Sequence, residues 1–285
     1  MKVIRAEVLG MCFGVRDALK VTETLVEPSQ VTIHGQLVHN DTVVNGLATR
    51  GFTITDESNR RAIPEGPVVL ITAHGISDRE RSRLEAAGKR LIDTTCPLVT
   101  RAHQAAQKLK ADGYFVIVVG RRGHVEVQGM IEDLDRHEVV GSVEEVTTYP
   151  SSRLGIVCQT TVPSRLAEQV RQAVVDKNPA AEVQFVDTVC LPTKDHQRSL
   201  LRLLDRVDGV VVVGWRHSNN TMELVALCLE HGIPAFHVES ADDLDPDWVA
   251  GFETVGLTAG TSTLDTTIDE VERALLRLRS AVVAS

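Results

Sequence analysis

Residues 93–120 read DTTCPLVTRAHQAAQKLKADGYFVIVVG, and the fold follows from them. Proline in the first turn opens a helical segment at residues 97–112, and Gly113 closes it. The run that follows, residues 115–120, is continuously apolar and rich in valine rather than alternating. A strand of that kind is buried on both faces, as in a parallel sheet covered by helices. Outward from this stretch the pattern repeats. Apolar runs at 68–73, 155–159, 183–189, 209–214 and 255–259 read as strands, and the N-terminal residues 1–7 read as an amphipathic one. Residues 163–177 repeat the proline-led helix, ending before Asn178-Pro179. Residues 264–279 carry apolar side chains at Leu264, Ile268, Val271, Leu275 and Leu278, a helical stripe. Strands alternating with helices predict an α/β fold, although the order of the strands is not legible.

The chain has 285 residues, 43% hydrophobic and 24% charged, which excludes a disordered or fibrous protein. A net charge of −9 argues against a general nucleic-acid binder, and 4% aromatic residues leave few platforms for stacked bases. No uncharged apolar window approaches the length of a membrane span, so no membrane association is expected. The N-terminus lacks the charged and apolar regions of a secretory signal, so a cytoplasmic location is expected. No Walker loop, no GxGxxG after the first strand and no GxSxG is present.

The five cysteines fall at Cys12, Cys96, Cys158, Cys190 and Cys228, with no CxxC among them. Cys158 and Cys228 lie inside apolar runs and read as packing thiols. The other three have turn-like surroundings: Gly10-Met11-Cys12-Phe13-Gly14, Asp93-Thr94-Thr95-Cys96-Pro97 and Asp187-Thr188-Val189-Cys190-Leu191-Pro192. Two share Asp-Thr-x-Cys with proline close behind, which puts the thiol at a loop-to-helix junction. A helix N-terminus favours thiolate, the form that binds metal. Cys12, Cys96 and Cys190 are 84 and 94 residues apart, a spacing that suits three similar α/β lobes, each giving one thiol. Three thiolates and a histidine would complete a zinc site. Three thiolates alone suit an iron–sulfur cube with one iron left open to a substrate oxygen.

His39, His74 and His124 each follow or border a strand-like run, which sets them at the C-terminal edge of a sheet, where α/β folds bind ligands. Protonated imidazoles with helix N-terminal amides would make an anion site there. Gln159-Thr160-Thr161, Ser218-Asn219-Asn220-Thr221 and Thr258-Ala259-Gly260-Thr261-Ser262 stand at further strand ends. Their hydroxyls and amides can hold a diphosphate or simply cap helices. Glu126 is the carboxylate two residues from His124.

Together these motifs resemble the 4-hydroxy-3-methylbut-2-enyl diphosphate reductase (IspH/LytB) family. The resemblance rests on residues 10–15, Leu37-Val38-His39-Asn40, residues 73–77, residues 93–99, residues 123–129, residues 159–161, residues 187–190 and residues 258–260, in the family's order. It implies three α/β lobes, residues 13–96, 97–190 and 191–285 with 1–12, in a trefoil around a central [4Fe-4S] cluster. Cys12, Cys96 and Cys190 match the cluster ligands. His39, His74, His124, Ser218, Asn220 and Ser262 match residues around the diphosphate, with Asn219 in the same pocket. Glu126 matches the proton-delivering carboxylate and Thr160 a hydroxyl beside the reacting carbon. The implied reaction removes the allylic hydroxyl to give isopentenyl and dimethylallyl diphosphate, with electrons from reduced ferredoxin or flavodoxin.

The chain departs from the family pattern at Phe13, Pro192, His196, His217, Asn219 and Leu264. His196 stands where the family usually has arginine, and Asn219 where it has serine. A paralogue reducing another allylic or diphosphate substrate is the alternative, and a non-redox zinc-containing binding module the more distant one.

Overall fold

The computed structural model describes residues 2–284, with all side chains except those of Ser58 and residues 279–284. Its strands form three separate parallel sheets of four. In chain order, β1 (Lys2–Arg5) stands first, at the N-terminus. β2 (Val31–Ile33), β3 (Thr53–Ile54), β4 (Val68–Ile71) and β5 (Arg90–Asp93) form a sheet in the order β3-β2-β4-β5. β6 (Phe115–Val119), β7 (His137–Val140), β8 (Arg153–Cys158) and β9 (Glu182–Phe185) repeat that order as β7-β6-β8-β9. β10 (Gly209–Val213), β11 (Ala235–Val238) and β12 (Thr254–Ala259) do so again, and here β1 takes the fourth place, beside β12. The α/β expectation and its three similar sheets hold.

The inner strands carry the continuous apolar runs because both faces are covered. In β10, Val211 and Val213 join one core with Val255, Leu257 and Ile268, while Val210 and Val212 join another with Leu200, Leu203 and Leu224. Each such side chain stabilises the fold by about 1.5–3 kcal/mol on burial. The edge strands β1, β5 and β9 are partly exposed. The run at 183–189 is corrected accordingly: the strand ends at Phe185, because residues 186–189 leave the sheet edge to lead into Cys190.

Helices follow the strands: α1 (Phe13–Glu23), α2 (Asp41–Thr49), α3 (Asp78–Ala86), α4 (Pro97–Ala111), α5 (Val125–Ile131), α6 (Ser164–Lys177), α7 (Leu191–Leu204), α8 (Asn219–Glu230), α9 (Pro246–Ala250) and α10 (Asp265–Ala284). The chain divides into two compact units. One holds Gly14–Val38 and Thr42–Cys190, with the first two sheets. The other holds Met1–Phe13, His39–Asp41 and Leu191–Ser285, with the third.

Candidate active site

Each unit presents its own group of polar residues at the C-terminal ends of its strands. In the larger unit the group centres on Glu126, in the first turn of α5. His124 caps this helix, its Nδ1 accepting from the Glu126 backbone N–H at 3.2 Å. His74, in the loop after β4, meets the His124 ring edge to face at 5.7 Å.

Glu126 is 2% exposed, not the solvated helix carboxylate that its place on α5 allows. Thr160 addresses both oxygens: its backbone N–H donates to Oε1 at 2.6 Å and its hydroxyl bonds Oε2 at 2.9 Å. Burial pushes the carboxyl up from the ordinary 4.5 to about 7, against the two bonds from Thr160, which favour the anion. A carboxylic acid that keeps its proton near neutral pH can act as a general acid. The Thr160 carbonyl in turn accepts from the Cys190 backbone N–H at 2.9 Å. One residue thus ties the acid to a candidate ligand.

The three candidate ligand cysteines each stand immediately before a helix, α1, α4 or α7. Their backbones are pinned alike. The Cys96, Cys190 and Cys12 N–H groups donate to the carbonyls of Ala73, Thr160 and Thr261, two residues beyond the ends of β4, β8 and β12. In the two Asp-Thr-x-Cys copies the side chains add further bonds. The Thr94 hydroxyl donates to the Ile71 carbonyl at 2.6 Å, and the Thr188 hydroxyl to the Cys158 carbonyl at the same distance. Asp93 accepts from the Thr95 N–H and Asp187 from the Val189 N–H, two matching turns. Burial alone would raise the Asp93 carboxyl, but bonds from Thr95 and Arg81 hold it below its usual range. The Cys96 sulfur lies against Gly14 of α1, where a Cβ would come within 2.6 Å of Sγ. Only glycine leaves that space. No disulfide joins any of the five cysteines, and Cys158 and Cys228 are fully buried packing thiols, with burial pushing Cys228 up to about 12.

The smaller unit gathers Ser218, Asn219, Asn220, Ser262 and His39. Ser218 caps α8, accepting from the Thr221 N–H, and Asn219 is the first residue of that helix. Asn220 is 2% exposed; its Oδ1 accepts from the Thr261 N–H, and its Nδ2 is buried without a hydrogen-bond partner. Because its oxygen is engaged, Asn220 offers donors only. Ser262 donates from Oγ to the His39 carbonyl at 3.1 Å, and Asn40 donates to the Ser262 carbonyl at 2.8 Å.

His74, His124, Glu126, Thr160, Cys96 and Cys190 therefore belong to the larger unit, and Cys12, His39, Ser218, Asn219, Asn220 and Ser262 to the smaller. Among the described residues, no group of three or more His, Cys, Asp or Glu side chains gathers as a site for a single metal ion. The sequence reading missed His103 on α4. Its Nε2 is buried without a hydrogen-bond partner, and burial lowers its pKa below the usual histidine range. The signal was its spacing: seven residues after Cys96, on one stripe of α4.

The LytB protein family model matches residues 3–276. A 4-hydroxy-3-methylbut-2-enyl diphosphate reductase of Aquifex aeolicus is 34% identical over 277 residues, covering 95% of this chain and 94% of its own length. One from Mannheimia succiniciproducens is 32% identical over 280 residues, covering 95% and 88%. The structure of the E-1-hydroxy-2-methyl-but-2-enyl-4-diphosphate reductase from Plasmodium falciparum superposes with a TM-score of 0.87 at 26% identity, over 95% of this chain and 87% of that one. That of an (E)-4-hydroxy-3-methyl-but-2-enyl diphosphate reductase gives 0.67 at 32% identity, over 97% and 100%. Match and relatives alike run nearly end to end, and the chain belongs to the LytB protein family.

Proposed function

We propose that the chain is a 4-hydroxy-3-methylbut-2-enyl diphosphate reductase, which removes the allylic hydroxyl to yield isopentenyl and dimethylallyl diphosphate, the last step of the non-mevalonate route. The reaction consumes two electrons and two protons per substrate and releases water. The observation that carries this reading is Glu126, a buried carboxyl bonded on both oxygens by Thr160 and held up to about 7.

Cys12, Cys96 and Cys190 would hold one [4Fe-4S] cluster per chain. The fit rests on their matching places before three helices, on the matching backbone anchors, and on the space that Gly14 leaves at the Cys96 sulfur. A cube asks each thiolate to reach a different iron, unlike a site built around a single ion. When bound, the cluster supplies electrons and one iron without a protein ligand.

The chain's own residues do the rest. His39, His74, His124, Ser218, Asn219, Asn220 and Ser262 bind the diphosphate, with the Asn220 Nδ2 and the first-turn amides of α8 as donors to phosphate oxygens. When protonated, Glu126 carries the hydrogen on Oε2, since Oε1 accepts from the Thr160 N–H, and the Oε2 bond to the Thr160 hydroxyl, accepted by the anion, then runs the other way. The Thr160 hydroxyl lies next to that proton and passes it toward the departing oxygen. Lobes at residues 13–96, 97–190 and 191–285 with 1–12, in a trefoil around the cluster, complete the proposal. So do a cytoplasmic location and reduced ferredoxin or flavodoxin as electron donor. Among the described residues no helix is long and apolar enough to cross a membrane.

Anaerobic turnover of 4-hydroxy-3-methylbut-2-enyl diphosphate with a chemical reductant tests the activity. Formation of the two five-carbon diphosphates is the expected result. An iron-loaded chain that leaves this substrate untouched would overturn it.

A further inference from the structure

The Gly10–Cys12 loop performs the same task as the two Asp-Thr-x-Cys loops without their side chains. Glycine stands where they have threonine, and leucine (Leu9) where they have aspartate. The connector from the sheet edge is also longer, residues 6–11 against 94–95 and 186–189. A longer connector that lacks the aspartate and threonine anchors opens more readily. This one keeps backbone bonds from the Ala6, Gly10 and Cys12 N–H groups to the Leu257, Ala259 and Thr261 carbonyls, and its side-chain anchors come from α7. The His196 ring is 3% exposed, with Nε2 at 2.9 Å from the Gly10 carbonyl and Nδ1 at 2.8 Å from the Pro192 carbonyl. One turn on, Ser199, 1% exposed, accepts from the Val8 N–H at 2.8 Å. A ring with one N–H donates to one of the two carbonyls, and a ring with two donates to both.

We propose that His196 is a positioning residue for Cys12, clamping the Gly10 carbonyl to the first turn of α7 in place of the missing threonine, with Ser199 as the second point of the clamp. The ligand role of Cys12 rests on the reading above; the clamp does not. Its effect is to fix the backbone that aims the thiol. The departure from the family pattern at His196 then bears on this loop rather than on the substrate.

Hydrogen–deuterium exchange on the anaerobic holoenzyme tests the clamp. His196→Leu keeps the bulk and removes both ring nitrogens. It should speed exchange of the Gly10 and Cys12 amides about tenfold, from a lost hydrogen bond and an orphaned buried carbonyl. The Cys96 and Cys190 amides should stay within about twofold, since their anchors lie elsewhere. Ser199→Ala, the milder change, should speed the same two amides about threefold, and His196→Gln should recover part of the protection. Iron release to a chelator should quicken in His196→Leu, and the electron-paramagnetic-resonance signal of the reduced cluster should change. Unchanged exchange at Gly10 and Cys12, or equal acceleration at all three loops, would overturn the clamp. Faster exchange at Cys12 with iron release and the resonance signal unmoved would overturn the positioning role. A wild-type chain that takes up no iron would instead overturn the ligand reading, with the exchange result standing apart.

Discussion

Two of the cysteine loops anchor themselves, and the third is anchored from outside. In the Cys96 and Cys190 loops the anchoring side chains all sit in the four-residue motif: aspartate folds the turn, and threonine bonds the end of the neighbouring strand. The Cys12 loop has neither side chain and turns instead at Gly10, φ +79, where a Cβ would come within 2.7 Å of the Ile268 side chain. Beside its backbone bonds to Ala259 and Thr261, it takes side-chain bonds from His196 and Ser199 on α7. The same backbone geometry is thus reached by local side-chain chemistry in one case and by tertiary packing in the other. Local anchors leave a trace in sequence. Remote ones do not.

The largest effect should come from the thiols, where the loops are alike. Cys12→Ser, Cys96→Ser and Cys190→Ser should each lose iron and all turnover, because a hydroxyl is a poor substitute for thiolate on iron. Cys158→Ala and Cys228→Ala should keep both and lose about 1 kcal/mol of packing. Iron per chain and turnover check this together. Full iron in any one of the three serine variants would break the equivalence of the loops.

Next comes Glu126, which Thr160 links to the Cys190 loop. Glu126→Gln keeps the shape and removes the acid, so turnover should fall by about two to four powers of ten with iron content unchanged. In the wild type, activity should fall as pH rises through about 7, where Glu126 gives up its proton. Stability should follow the same group. The folded chain holds this proton up to about 7 and the unfolded chain only to 4.5, so the folded state binds more protons between those values. Stability therefore falls as pH rises across that window, by about 3 kcal/mol from this group, and Glu126→Gln should remove that slope. Urea midpoints at pH 5 and pH 8 measure it.

Smaller effects should separate the two kinds of loop. Gly10→Ala forces a side chain into positive φ and onto Ile268, which should cost about 3 kcal/mol. Thr188→Val should cost about 2 kcal/mol, by stripping the buried Cys158 N–H and carbonyl of a shared partner. Asp187→Ala removes the part-buried turn bond from the Val189 N–H and should cost about 0.5–1 kcal/mol. Urea unfolding ranks them. An Asp187→Ala cost above that of Gly10→Ala would reverse the comparison.

The inner strands were legible because burial on both faces leaves unbroken apolar runs, as in β4, β6, β8, β10 and β12. β2 has only three residues, too short for periodicity to register. Edge strands such as β3, β7 and β11 mix polar and apolar residues on exposed faces and give no run to read. The Cys96 and Cys190 loops were legible through the duplicated Asp-Thr-x-Cys, a local motif. His196 and Ser199 were not, because their partners Gly10 and Val8 lie 186 and 191 residues away. Glu126 could be named from its place beside His124, but its burial and its bonds to Thr160 come from packing.

The most direct measurement is the metal content of the anaerobically purified wild-type chain. The account predicts a brown protein with about four irons per chain and matching sulfide. A colourless chain holding one zinc and no iron would contradict it.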